Sequence, residues 1–252
     1  MQSLPNALVF LAVPDDAVST VAAGLAESDS RIPESVAFVH LSGSLLLSAL
    51  EPLGGRHPVG SFHPLQSFPE PRSPASFHGI VVGVDASTAA LQRRLASIAR
   101  ALGARPKRVS DSQRALYHAA AVFASNYVDA LFGTAVNLLK LAGWSEKDAT
   151  SGLLPLTEGT LVTVGKRGPV RALTGPVRRG DVKTVERHLA ALATLAAPDQ
   201  SLGAPPIVDQ YRMLGSIALE IAAQAGLEPA AAERMHRALT HKAAATRRRE
   251  RP

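Results

Sequence analysis

The 252-residue chain contains no cysteine, which excludes disulfides, thiolate metal sites and a cysteine nucleophile and fits a reducing, cytoplasmic setting. Aromatic residues make up only 4% of it, so the alanine-rich second half is expected to pack its helices closely through small side chains. No uninterrupted apolar run approaches the ~20 residues that span a bilayer. The amino-terminal run is broken at Pro14 and has no basic segment before it, so it reads neither as a signal peptide nor as a membrane anchor. Also missing is any Gly-x-Gly-x-x-Gly, the turn that brings a dinucleotide pyrophosphate onto a helix start.

Charge is present but unevenly placed. Five basic residues (Lys242, Arg247, Arg248, Arg249 and Arg251) against Glu250 carry four of the six net positive charges on a short terminal stretch. Such a stretch reads as a solvated tail over 245–252, and it does not make the protein a nucleic-acid binder. The remaining apolar content is ample for one large domain or two modest ones.

Residues 6–109 alternate strand and helix. Asn6–Val13 is a continuous apolar run closed by Pro14-Asp15-Asp16, the pattern of a parallel strand covered on both faces, and an amphipathic helix follows over 16–27 with Asp15 or Asp16 as its cap. Further strands are expected over 35–40, 59–63, 77–84 and 105–109, with helices over 45–53 and 87–102, the latter stopped by Gly103. From Asp111 to Ala142 there is no proline and one glycine, which predicts a helix of about 30 residues, ~45 Å long. Helices then follow over 145–156 with a continuation towards 165, 181–195, 207–225 and 229–244. The fold class is α/β plus all-α: a Rossmann-like parallel sheet over 1–110, then a helical domain over 111–244.

Four polar clusters interrupt this apolar pattern. His40-Leu-Ser42-Gly-Ser44 follows a strand end, where open α/β sheets bind ligands; Ser42 is either a ligand contact or a turn former, and Ser44 reads as a helix cap. His63, ahead of Pro64 and Gln66, is held extended by the proline and suits ligand contact or proton transfer. On the long helix, His118 and Ser125 are spaced by nearly two turns and share a face, with Asn126 beside them. Three polar groups on one stripe are costly if buried without partners, so they line a cleft or bond a neighbouring helix. The fourth cluster, Thr174-Gly-Pro-Val-Arg178-Arg179-Gly-Asp181, sets two arginines at a helix start capped by Asp181, as a carboxylate or phosphate site would. No group of residues has metal-ligand spacing.

In order along the chain, Leu-Val-Phe-Leu-Ala-Val-Pro-Asp-Asp, His-Leu-Ser-Gly-Ser, His-Pro-Leu-Gln-Ser-Phe, Tyr-His-Ala-Ala-Ala-Val-Phe-Ala-Ser-Asn and Leu-Thr-Gly-Pro-Val-Arg-Arg-Gly-Asp resemble bacterial Rossmann-like proteins with a C-terminal helical domain of unknown function. Those proteins are labelled NADP oxidoreductases, and they are similar to the 6-phosphogluconate dehydrogenase-like group, which includes pyrroline-carboxylate reductase. The resemblance reaches to about Leu195. It implies an NADP-dependent reductase of a small carboxylate- or phosphate-bearing C=O or C=N substrate, working as a homodimer through its helical domain. By position, Val13, Pro14, Asp15 and Ser42 would lie near the cofactor, and His63 near the nicotinamide. His118 would donate the proton and Asn126 orient the substrate, with Ser125, Thr174 and Arg179 also contacting it. Relatives often place a lysine on this helix; here none occurs before Lys140. The resemblance also makes Asn6–Val13 the fourth strand of the Rossmann order, so the glycine-rich βαβ part is expected to be missing and the opening strand to form an exposed sheet edge. The competing expectation is a non-catalytic, dimeric ligand-binding or scaffold protein.

Overall fold

A computed structural model of the chain describes residues 6–27, 32–195 and 205–241; the basic tail over 245–252 lies outside the described residues. The chain divides into two compact units, 1–134 and 135–252.

The first unit is an α/β sheet domain. Its elements are β1 (Leu8–Leu11), α1 (Val18–Glu27), β2 (Ala37–His40), α2 (Glu51–Gly54), β3 (Val59–Pro64), β4 (Val81–Ala86), α3 (Ala89–Ala101), β5 (Arg105–Arg108), α4 (Asp111–Ala124) and the start of α5 (Asn126–Leu141). The five strands lie in sequence order. All neighbours are parallel except β3 and β4. A turn of 3-10 helix over Asp15–Ala17 precedes α1 and another over Leu47–Leu50 precedes α2.

Alternation along the strands splits the core into two layers. Ala37, Val39, Phe62, Val82 and Val84 pack under α3, which presents Leu91, Leu95 and Ala99 at four-residue spacing. Phe38 and Val59 point the other way, onto Leu11, Val18, Ala22, Leu50 and Leu53. All four residues of β2 are buried, as a strand covered on both faces must be. β1 lies at the sheet edge, as expected, but it is not covered on both faces as its apolar run predicts: Val9 and Phe10 are exposed, because an edge strand has one neighbour.

Two local expectations are corrected. Neither Asp15 nor Asp16 caps the first helix; the Asp15 carboxylate instead accepts hydrogen bonds from the Ser42 and Ser44 hydroxyls at 2.6 and 2.9 Å. The long helix is not continuous either, because Ser125 leaves helical geometry (φ −126°, ψ −74°) between α4 and α5. By length and composition Asp111–Leu141 could nevertheless cross a membrane, although scattered polar residues keep it from being an uninterrupted apolar run. In this fold the start of that stretch is pinned to the sheet by Arg114, whose guanidinium donates to Ser61 Oγ and the Val109 carbonyl.

The second unit is helical throughout its described residues: the remainder of α5, α6 (Glu146–Arg167), α7 (Pro169–Ala172), α8 (Gly175–Arg178), α9 (Val182–Ala193), α10 (Ile207–Gln224) and α11 (Pro229–Thr240). α6 takes the expected continuation and ends at Arg167, with Pro155 inside it. Val177, Val185, Leu189, Leu219, Ala222, Met235 and Leu239 form its core.

Candidate functional site

The polar residues of the first unit gather on one face of the sheet. Period-two alternation puts Ser61 and His63 on the face opposite Phe62. The β2–β3 register sets His40 beside Ser61. Over them lies α4, started by Ser110 and Gln113 as a capping box. Its residues 111, 114, 117, 118 and 121 recur at three- and four-residue spacing and so share a stripe.

Arg114, 1% exposed, is the anchor of this stripe. It donates to Ser61 at 2.8 Å and pairs with Asp111 at 3.3 Å. Asp111 also accepts the Leu47 amide at 3.2 Å, tying the helix start to the loop after β2. Such bonds are what a buried guanidinium requires, since an unpaired one would cost several kcal/mol.

One turn further along α4, Tyr117 meets His63. Tyr117 Oη and His63 Nδ1 are 2.8 Å apart, with the rings edge to face. His118 faces the same imidazole, centroids 6.4 Å apart, and its Nδ1 is buried without a hydrogen-bond partner among the described residues. Burial pushes the His63 pKa down to about 4, helped by His118 and Arg114 and opposed by Asp15. It does the same for His40, also to about 4, with Arg114 the second cause. Tyr117 moves the other way: burial raises it, against Arg114 and the Gly83 amide. At neutral pH both imidazoles are therefore uncharged and the phenol keeps its proton.

Two glycines leave room for this arrangement. A Cβ on Gly43 would fall 2.7 Å from His63 Nε2 and 3.0 Å from His118 Nδ1. One on Gly83 would fall 3.0 Å from Tyr117 Oη. Either contact would force the rings to shift.

A cavity of about 630 Å³ opens beside these groups, lined by His63, Gln66, Tyr117, His118, Ser125 and Asn126 among others. The structure thus brings together the expected His63, His118, Ser125 and Asn126; the break at Ser125 turns the backbone where the last two sit. Ser42 is adjacent to Gly43 but is fully engaged, donating to Asp15 and accepting the Ser44 and Leu45 amides. The turn former in this loop is therefore Ser42, and Ser44 caps no helix. Val13, Pro14 and Asp15 follow the C-terminal end of β1, exposed. Thr174 and Arg179 belong to the second unit, where they line a separate cleft of about 580 Å³ with Arg178. Arg178 is held by the Ala225 carbonyl at 2.9 Å, and Asp181 caps α9 as expected.

Sequence reasoning passed over Arg114 and the pairing of Tyr117 with His63. Arg114 lies three residues before Tyr117 and four before His118, which was the signal available, but an arginine on a helix reads by default as solvent-facing.

No curated protein matches the chain. Among solved structures it is similar to "putative NADP oxidoreductase BF3122 from Bacteroides fragilis", with 27% identity, a TM-score of 0.62, and 85% of this chain and 75% of that one covered. Protein TM1727 from Thermotoga maritima superposes with a TM-score of 0.69 at 24% identity, covering 89% and 81%. Plasmodium falciparum pyrroline carboxylate reductase with NADP bound gives 0.50 at 12% identity, covering 92% and 77%. The last two speak to the fold alone: a Rossmann-like sheet followed by a helical part. Residues 80–216 match the family described as "Domain of unknown function (DUF2520)", and with more than half of its length in that match, the chain belongs to this family.

Proposed function

We propose that the protein is an NADP-dependent oxidoreductase that reduces a C=O or C=N group in the cavity between β3 and α4. The observation that carries this reading is the convergence of His63, Tyr117, His118, Ser125 and Asn126 on one cavity beside the C-terminal end of a parallel strand. Ligands of open α/β sheets bind at that edge. The Bacteroides fragilis protein, similar over most of both chains, supports NADP as the cofactor.

The residues after β1 fit only part of such a cofactor. Exposed Val13 and Pro14 offer an apolar surface suited to its nicotinamide end. The turn they enter carries Asp15 and Asp16 where a pyrophosphate needs glycine and free amides, so these residues do not make the pyrophosphate grip. Bound beside Val13 and Pro14, NADPH would supply a hydride. The protein's own part is then the proton and the geometry. His118 turns a buried, unpartnered Nδ1 toward His63 and is the proton donor. Neutral His63 contacts the reacting group by hydrogen bonding, and Asn126 and Ser125 orient the substrate. Asp15 holds the Ser42 loop in place and reaches His63 electrostatically. In the second unit Thr174 and Arg179 line a cleft of their own whose chemistry suits an anionic group, a carboxylate or phosphate. The same reading makes the protein a homodimer through its helical unit, supported by exposed Leu154, Leu156, Leu161 and Val162 on α6.

The acidic turn after β1 favours a second reading, a ligand-binding protein without catalysis. Thermal unfolding in rising NADPH separates the two. A ligand that binds only the folded state stabilises it by about 2.7 kcal/mol at a hundred times its Kd. Saturable stabilisation is expected; a melting temperature indifferent to NADPH would leave the non-catalytic reading.

A further inference from the structure

We infer that Tyr117 is a positioning residue that fixes His63 as the Nε2–H tautomer, so that the cavity meets a neutral N–H donor at His63 and selects a substrate atom with a free lone pair. Which substrate atom is held rests on the reductase reading; the tautomer does not.

A proton count decides the tautomer. Tyr117 Oη and His63 Nδ1 lie 2.8 Å apart, so one proton sits between them. It belongs either to the phenol, with Nδ1 accepting, or to Nδ1, with the phenol oxygen accepting. Among the described residues no second side chain stands within hydrogen-bond distance of that oxygen to take its proton. With Nδ1 protonated, the phenolic hydrogen would have no protein acceptor among the described residues. With the phenol donating, every proton is used. His63 then carries its one remaining ring proton on Nε2.

His63 Nε2 lies over Gly43 with His118 Nδ1, both atoms within 3.0 Å of where a Cβ on Gly43 would stand, and both rings line the cavity. The lowered His63 pKa keeps the ring neutral across physiological pH, so the tautomer, not the charge, decides what it offers. An Nε2–H donor holds a carbonyl oxygen or an imine nitrogen. It offers nothing to an ammonium or alkyl group. The Gly83 position guards the pairing, since a side chain there would press on the phenol.

The experiment is long-range proton–nitrogen NMR on histidine-labelled protein, without cofactor or substrate, with His63 assigned among the eight histidines by His63→Gln. In the wild type a single Nε2–H form of His63 is expected at neutral pH. Tyr117→Phe, which keeps the ring and removes the hydroxyl, should convert that signal to a mixture of tautomers at an unchanged melting temperature. A wild-type Nδ1–H form overturns the proposal whether or not the variant folds. A Tyr117→Phe spectrum identical to wild type overturns it as well. If NADPH fails to bind while these spectra come out as expected, the reductase reading falls and the tautomer assignment stands.

Discussion

His40 has no exposed surface, and neither ring nitrogen has a hydrogen-bond partner among the described residues. Burying it is affordable only uncharged, which is why its pKa falls to about 4. His63 is lowered to the same value chiefly by the same cause. Unfolded, both return to about 6.5. Between these values the unfolded chain binds more protons, so stability is complete above about pH 6.5 and declines as pH falls towards 4. The loss from His40 is on the order of a few kcal/mol. Urea midpoints measured from pH 7 to 5 should fall, and His40→Leu should flatten that slope. A slope that His40→Leu leaves untouched would show that His40 is not protonated on unfolding.

Among the elements, α3 is the one whose sequence is most fully explained by its packing. Thr88 caps it through the Leu91 amide at 3.2 Å, and the Leu91, Leu95, Ala99 stripe seals one layer of the sheet. Leu95 is fully buried, whereas Arg94 beside it faces solvent. Leu95→Ala should lower stability by about 2–5 kcal/mol, and Arg94→Ala by under about 0.5 kcal/mol, in denaturant titrations. Equal losses would mean the helix is not seated on the sheet as described. α4 differs: its inward stripe is Arg114, Tyr117 and His118, so it gains hydrogen bonds where α3 gains apolar burial. Its outward side carries exposed Leu116 and Phe123.

At the scale of the whole molecule, β1 pairs with β2 alone among the described residues, and Val9 on it is 36% exposed. A flat apolar edge invites pairing with another strand. β5, at the opposite edge, carries Arg105, Pro106, Lys107 and Arg108, residues that resist such pairing. Val9→Lys should therefore reduce concentration-dependent light scattering, with the far-ultraviolet circular dichroism unchanged. Undiminished scattering would point to the apolar helical faces instead.

Much of this was legible from the residues in order. Apolar runs closed by turns gave the positions of the parallel strands; β2 is buried on both faces, whereas β1, read the same way, is exposed at the sheet edge. The proline-free stretch from Asp111 gave its helical character but not the break at Ser125, and the motif order gave the family. His63 and His118 stood out because each breaks an apolar pattern locally. What the tertiary structure alone decided is which polar groups meet. Asp15 caps no helix because the Ser42 and Ser44 hydroxyls, 27 and 29 residues away in sequence, reach it first. Arg114 is buried because Ser61 and Val109 offer acceptors 53 and five residues away. The tautomer of His63 hangs on Tyr117, 54 residues on. Helical and strand periods are properties of neighbours in the chain and can be read there; a hydrogen bond between distant residues exists only once the register of the sheet and the seating of α4 have fixed where each atom lies.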